Sequence, residues 1–375
     1  MKQRGSQSLK GLRRGNKEAV LLLFMGGERL SRVRIAAATG LTTASVTQLV
    51  RELIDDGLLE ESGEIASGAA GRRETLLRFA GEKVAAVGVN VERDRTHVSL
   101  CSWDEVIKEE IYPTDELFAG GTGALCERIE AVAAECGGRR FLGTGLAVAG
   151  FVDAEKGIAV GNHGLFPDGY PLADEVFRGT GKETLLVNNV RAQARALMTA
   201  ADDSFMFVKH GPGVGCAVIS DGIIVEGADG KAGELGHTIA EEDGIKCRCG
   251  KRGCLETCVS ESRISELYHN KTGVEMCVRD IYARYGKDAE AREILDGCAR
   301  KLAVAIGNAA SLLNPRKVLA TGGIFAAEDT FLAFERAVSE AGFGGDFPLA
   351  RIGDERKVKA FSGARHVMLE KLFGI

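Results

Sequence analysis

Gly233-Glu234-Leu235-Gly236-His237, followed by Cys247-Arg248-Cys249-Gly250-Lys251-Arg252-Gly253-Cys254-Leu255-Glu256, is the stretch on which the reading of this chain turns. Three thiols fall within eight positions, on a glycine-containing loop able to fold around a point, and His237 lies ten residues upstream of Cys247. One imidazole and three thiolates are the donor set of a closed, tetrahedral zinc site. Such a site fastens a loop and leaves no open position for metal catalysis. Cys258 competes as a fourth ligand on spacing alone, and the same spacing fits a cluster of reduced core thiols.

Outward from this stretch, strand-like and helix-like segments alternate from Val84 to the end. Val84–Val89, residues 96–101, 141–152, 184–187, 205–210, 215–219 and 317–320 read as strands. Residues 122–136 and a segment from Arg191 read as helices. This is an α/β body. Two similar halves are compatible with it, but no internal symmetry is readable in the residues.

The first eighty residues have a different grammar. A helix is expected from near Lys17, with Ala19, Val20, Leu22, Leu23 and Phe24 on its apolar side. A second fits Ser31 to Thr39, with Ser31 as N-cap and Val33, Ile35, Ala36 and Ala37 inward. A third starts at Thr42 or Thr43 and carries Val46, Leu49, Val50, Leu53 and Ile54 at helical spacing. Thr39-Gly40-Leu41 between the last two is the short glycine turn of a helix-turn-helix. The third helix then offers Thr43, Ser45, Thr47, Gln48 and Arg51 to base edges and phosphates. Two strands, 58–62 and 74–79, flank a tip with Gly71-Arg72-Arg73, which reads as a wing whose Arg72 and Arg73 suit a minor groove. A protein-binding winged helix has the same local pattern.

Composition fits this division. The chain has 375 residues, 45% hydrophobic and 27% charged, enough for a large core and too apolar for wholesale disorder. Residues 1–80 carry 13 Lys and Arg against 9 Asp and Glu; the remainder carries 35 against 44. A basic head on an acidic body restricts any nucleic-acid role to the head. No apolar run reaches the roughly 18 residues of a membrane helix. The basic start lacks the apolar region of a secretory signal. A cytoplasmic protein with mostly reduced cysteines is expected.

The glycine-rich hairpin, Gly-Glu-Leu-Gly-His and Cys-x-Cys-Gly-x-x-Gly-Cys-Leu-Glu resemble the ROK family (repressors, open reading frames and sugar kinases). With the head and its Gly-Arg-Arg wing, the resemblance extends over essentially the whole chain and points to the repressor branch. It implies a winged helix-turn-helix over 1–80 and, over 81–375, a two-lobed α/β body of the actin-like, ribonuclease-H-like sugar-kinase fold. It also implies that His237, Cys247, Cys249 and Cys254 bind structural zinc, and that Glu234, His237 and Glu256, with Asn188 and Asn189, line the sugar site. Loop anchoring around the metal is the other role open to Glu234 and Glu256. The family's sugar loop with its Trp maps to 161–171, where only Asn162 or His163 stands in.

Against the family's kinases, two features are missing. Their phosphate loop after the opening strand is Asp-x-Gly-Gly-Thr; here Asn90-Val91-Glu92-Arg93-Asp94 follows, without glycines and with carboxylates where phosphates would sit. Their catalytic Asp, which takes the proton of the attacking sugar hydroxyl, aligns with Asn189, whose amide cannot. Gly211-Pro212-Gly213-Val214-Gly215 and Thr321-Gly322-Gly323 resemble nucleotide loops, although glycines also serve tight turns. The expectation is therefore a non-enzymatic, sugar-responsive transcriptional regulator, a repressor of carbohydrate-utilisation genes. Its partners are operator DNA and a monosaccharide or derivative, and it acts as a homodimer or homotetramer. An ATP-dependent sugar kinase with a DNA-binding head is the alternative.

Overall fold

The computed structural model describes residues 9–66, 73–160, 165–200, 203–228 and 230–375. The chain forms two compact units, Met1–Asp202 with Lys357–Ile375, and Asp203–Arg356.

The first unit opens with α1 (Leu9–Leu22), β1 (Leu30–Ser31), α2 (Arg32–Thr39), α3 (Thr43–Asp55), β2 (Leu59–Ala66) and β3 (Arg73–Phe79). The strands pair antiparallel in the order β1-β3-β2, so three helices carry a small winged sheet. Ser31 caps α2 by accepting from the Arg34 N–H, and Gly40 ends it in the left-handed region at φ 70°. Thr42 caps α3, which buries Val46, Leu49, Val50 and Leu53. Two expectations need correction. Helix α1 starts at Leu9, well before Lys17. On α2 only Ile35 is buried and Val33 is exposed, because residues two apart on a helix face away from each other.

The body of this unit continues with β4 (Val84–Val91), β5 (Arg95–Cys101), β6 (Val106–Pro113), α4 (Thr114–Phe118), α5 (Gly123–Ala133), β7 (Arg140–Val148), β8 (Phe151–Asp153), β9 (Ile158–Val160), α6 (Leu172–Thr180), β10 (Thr184–Asn188) and α7 (Asn189–Ala196). Its sheet runs β10-β7-β4-β5-β6. Strand β4 is central and buried at every position, as its unbroken apolar run requires. The segment read as one strand over 141–152 is two, β7 and β8, and α7 begins two residues before Arg191.

The second unit holds β11 (Phe205–His210), β12 (Val214–Ser220), β13 (Ile223–Ile224), α8 (Leu255–Val259), α9 (Glu261–Thr272), α10 (Val278–Ala283), α11 (Ala289–Leu313), β14 (Lys317–Thr321), α12 (Glu328–Val338) and β15 (Leu349–Arg351). Its sheet order is β13-β12-β11-β14-β15. Helix α13 (Glu355–Met368) then carries the chain into the first unit, where the π-helical turn Leu369–Phe373 follows it.

Numbered within each body, both five-stranded sheets have the order 3-2-1-4-5. In each, strands 1–3 form an antiparallel meander and strands 4 and 5 add in parallel. The two halves are thus one topology used twice. The turn after β4 and the turn after β11 are equivalent positions.

Candidate functional site

Backbone proximity shapes the metal cluster. A Cβ on Gly236 would lie 2.3 Å from the Val214 carbonyl oxygen, so the Gly-Glu-Leu-Gly run can lie against β12 only with glycine there. At Gly253, φ is 68° and a Cβ would lie 1.5 Å from the Glu241 carbonyl oxygen. The N–H groups of Ala240 and Glu241 both donate to the Gly253 carbonyl, closing the loop.

This closure brings the donor atoms of His237, Cys247, Cys249 and Cys254 within 4.8 Å of one another. His237 Nδ1 is 3.6 Å from Cys247 Sγ, and the Cys249 and Cys254 sulfurs are 3.5 Å apart. Zinc–sulfur bonds of about 2.3 Å in a tetrahedron require donor separations of just this order. Cys258, the spacing competitor, is buried elsewhere, beside Glu241. Burial pushes the Cys254 thiol up to about 12, while the Lys251 backbone pulls Cys249 down. A dication among them resolves that conflict by favouring thiolate throughout. The residues form a His/Cys3 cluster able to hold a metal.

His237 has a second face. Its Nε2 lies 3.9 Å from Glu234 Oε2, so the ring stands between the thiols and an exposed carboxylate. Glu256 opens α8 half-buried; its Oε2 accepts from the Val214 N–H at 3.3 Å and lies against Gly213. The turn Gly211-Pro212-Gly213 therefore holds a carboxylate of this chain.

In the first unit, Asn188 is the N-cap of α7. Its Oδ1 accepts from the N–H groups of Val190 and Arg191, and its Nδ2 donates to the Gly150 carbonyl. Asn189 is the first residue of the helix and 5% exposed. The five residues expected to meet a sugar thus divide between the units: Asn188 and Asn189 on the first, Glu234, His237 and Glu256 on the second. Asn162 and His163 lie outside the described residues.

The turn after β4 also holds a carboxylate. Glu92 pairs with Lys359 of α13 at 2.9 Å, both largely shielded from solvent. Just before it, Asn90 is 1% exposed and its Oδ1 accepts from Gln193 Nε2 at 3.4 Å. Lys359 and Gln193 are neighbours of this turn that the sequence does not reveal, since each lies far along the chain from it. The Thr321-Gly322-Gly323 loop has its own reason for glycine: a Cβ on Gly323 would lie 1.9 Å from His210 Nδ1. His210 accepts from the Ile324 N–H at Nδ1 and donates from Nε2 to the Val259 carbonyl; burial pushes it down to about 4. It is a neutral strap, and the glycines make room for it.

On the head, Thr43, Ser45, Thr47, Gln48 and Arg51 are all exposed along α3. The Ser45 hydroxyl pairs with that of Thr42, and Thr47 donates to the Thr43 carbonyl, which leaves Gln48 and Arg51 with the longest reach. Arg73 is exposed and pairs with Glu64 across the wing; Arg72 lies outside the described residues.

The model of the ROK family matches residues 105–345. A DNA-binding transcriptional dual regulator, NagC of Escherichia coli K12, is 28% identical over 94% of this chain and 93% of its own. A glucokinase of Halalkalibacterium halodurans is 31% identical over 58% of this chain and 74% of its own. The crystal structure of a ROK family transcriptional regulator, a homologue of the E. coli MLC protein, superposes with a TM-score of 0.80 at 23% identity. It covers 96% of this chain and 98% of its own.

Proposed function

This chain belongs to the ROK family, and from that membership we propose that it is a sugar-responsive DNA-binding transcriptional regulator, acting as a repressor, with no phosphotransferase activity. One observation carries the reading. A helix-turn-helix with an exposed third helix shares the chain with an α/β body whose α7 opens on an amide, Asn189, the residue that the resemblance aligns with the kinases' proton acceptor. The turn after β4 supports it, since Glu92 places negative charge where the kinases' phosphate loop has glycines.

Residues 1–80 are the operator-binding head and 81–375 the effector-binding body. Base edges are read by Thr43, Ser45, Thr47, Gln48 and Arg51, with Arg72 and Arg73 on the flanking groove. The effector is a monosaccharide or its derivative, met by Asn188, Asn189, Glu234, His237 and Glu256. Paired sugar hydroxyls suit carboxylates and amides, which exclude ligands that cannot satisfy them. Asn188 contributes by holding the start of α7, because its side chain is largely committed to the cap.

Zinc is the metal that the His/Cys3 set fits. It would be held by His237, Cys247, Cys249 and Cys254, and when bound it supplies structural fixation of the loop. With two ring nitrogens, His237 would hold the metal with one and face a sugar hydroxyl with the other. The protein works in the cytoplasm as a homodimer or homotetramer on an inverted repeat. No helix among the described residues is long and apolar enough to cross a membrane.

The test combines two measurements on the full chain. Operator shift assays use DNA upstream of the gene, with N-acetylglucosamine, glucose, xylose and their phosphates. A coupled assay follows ATP consumption on the same sugars. Sugar-dependent release with no turnover is expected; turnover at ordinary kinase rates would overturn the assignment.

A further inference from the structure

The first unit contains an unbroken packed route from the residues proposed to meet the sugar to the DNA head. It begins at α7, whose first turn is Asn188-Asn189 and whose last turn carries Arg195. Arg195 is deeply shielded, with a side chain 12% exposed. Its Nη1 lies 2.9 Å from His366 Nδ1, 2.9 Å from Glu370 Oε1 and 3.1 Å from the Ile375 main-chain oxygen, three acceptors that share its two N–H groups. One guanidinium nitrogen thus gathers α13, the π-helical turn and the last residue of the chain onto α7. Burial, with Arg195 beside it, pushes His366 down to about 3, so that ring is a neutral acceptor at neutral pH.

The gathered segment is itself packed on the head. Phe373 is 1% exposed; its ring lies 5.6 Å from Phe79, the last residue of the wing strand β3, and 4.8 Å from Trp103. Phe79 and Trp103 meet edge to face at 5.3 Å, and the Arg365 guanidinium sits 3.7 Å over the Trp103 ring. Gly374 lies so close to α1 that a Cβ there would be 2.7 Å from the Glu18 carboxyl carbon. The loop after α7 touches the head directly as well: a Cβ on Gly26 would lie 3.1 Å from the Thr199 carbonyl oxygen.

Close-packed interfaces of this kind switch between discrete arrangements and do not deform smoothly. A displacement of α7 at its Asn189 end is carried along the helix to its Arg195 end, and among the described residues the side chain of Arg195 holds the segment seated on α1 and β3. We propose that Arg195 is a positioning residue that transmits the state of the sugar-facing end of α7 to the winged helix through the C-terminal turn. This rests on the reading of Asn189 as a sugar contact and adds the route by which that contact reaches the DNA head.

Trp103 is the sole tryptophan of the chain, so its fluorescence reports this joint alone. The experiment uses the full chain as wild type, Arg195→Lys and Glu370→Gln. Lysine keeps the charge but cannot reproduce the planar fork, and Glu370 is partly exposed, so both variants should fold. Calorimetry with N-acetylglucosamine, glucose and xylose gives sugar affinity, and shift assays give operator affinity with and without each sugar. Both variants are expected to bind sugar alone and operator alone within about threefold of wild type. The sugar-induced loss of operator affinity, on the order of tenfold in wild type, should fall below about twofold. The sugar-induced change in Trp103 emission should vanish with it. Variants that keep both responses overturn the proposal. If no sugar alters operator binding by the wild type, the regulatory reading fails, and the joint is judged on ligand-free protein. There a shift of Trp103 emission in Arg195→Lys supports the clamp, and unchanged emission in both variants overturns it.

Discussion

Glu92 and Lys359 form an ion pair at 2.9 Å that fills the turn after β4, the position equivalent to the turn after β11 where Glu256 accepts from Val214. Each turn is closed by a carboxylate of this chain. In the first, the ammonium of Lys359 compensates the charge; in the second, a backbone N–H does.

Removing one member of the first pair leaves a half-buried charge behind. Lys359→Met should lower stability by about 1–2 kcal/mol, and Glu92→Gln by less, because an amide can still accept a hydrogen bond. Neither change should create nucleotide binding, since the glycine backbone of a phosphate cradle is still missing. Thermal unfolding and calorimetric titration with ATP and magnesium check both statements; measurable ATP affinity in Glu92→Gln would show the pair to be the sole block.

Metal content should follow the four donors. Cys247→Ser and Cys249→Ser are expected to reduce bound zinc from about one per chain to well below half, whereas Cys258→Ser should leave it unchanged. Chelation should lower Tm by roughly 5–10 °C, because the loop fixed by Gly253 and the thiols loses its cross-link. Elemental analysis beside calorimetry decides, and loss of zinc in Cys258→Ser would place the fourth ligand wrongly.

Acid should destabilise the second unit before its carboxylates titrate. Burial holds His210 at about 4, against 6.5 in the unfolded chain. Between those values the unfolded state binds a proton that the folded state refuses, so stability falls as pH falls through the window from 6.5 to 4. The full loss is about 3 kcal/mol for this ring. His366, held at about 3, acts with the same sign in the first unit. Denaturant midpoints measured from pH 7.5 to 4.5 should decline, and replacing His210 with Gln should flatten that decline while lowering stability at neutral pH.

Operator recognition should separate by residue. Arg51→Ala and Gln48→Ala, whose side chains are exposed and long, are each expected to weaken specific binding by about tenfold. Thr47→Val should cost less, because its hydroxyl already donates within the helix. Arg73→Ala should weaken operator binding while leaving the preference at the major-groove bases unchanged, as loss of a minor-groove contact does. Shift assays at two salt concentrations on specific and scrambled operators test this, and equal losses on both sequences for Arg51 would assign it to phosphate.

The legible parts of the site were those whose chemistry is local in the chain. Cys247, Cys249 and Cys254 lie on one short loop, whereas spacing left His237 and Cys258 both open as the fourth donor, and the resemblance pointed to His237. The α3 apolar spacing and the Thr-Gly-Leu turn likewise disclosed the helix-turn-helix, whereas the reading of Asn189 as an amide in place of a proton acceptor came from the resemblance. Where local signals conflicted the expectation slipped: Val33 is apolar but its helical phase turns it outward, and Asn188 starts α7 early because an asparagine side chain caps two N–H groups.

Along the chain alone, the kinds of element and the three loop thiols were readable, since periodicity, caps and loop ligands depend on neighbours a few residues apart. Long-range packing settles that the two halves share the order 3-2-1-4-5, that Lys359 answers Glu92, and that Cys258 stands outside the metal cluster. It alone seated Phe373 against Phe79 and Trp103. Strand order and such pairings join residues far apart along the chain, and which of them meet is set by how the sheets and helices pack, not by any pattern along the backbone.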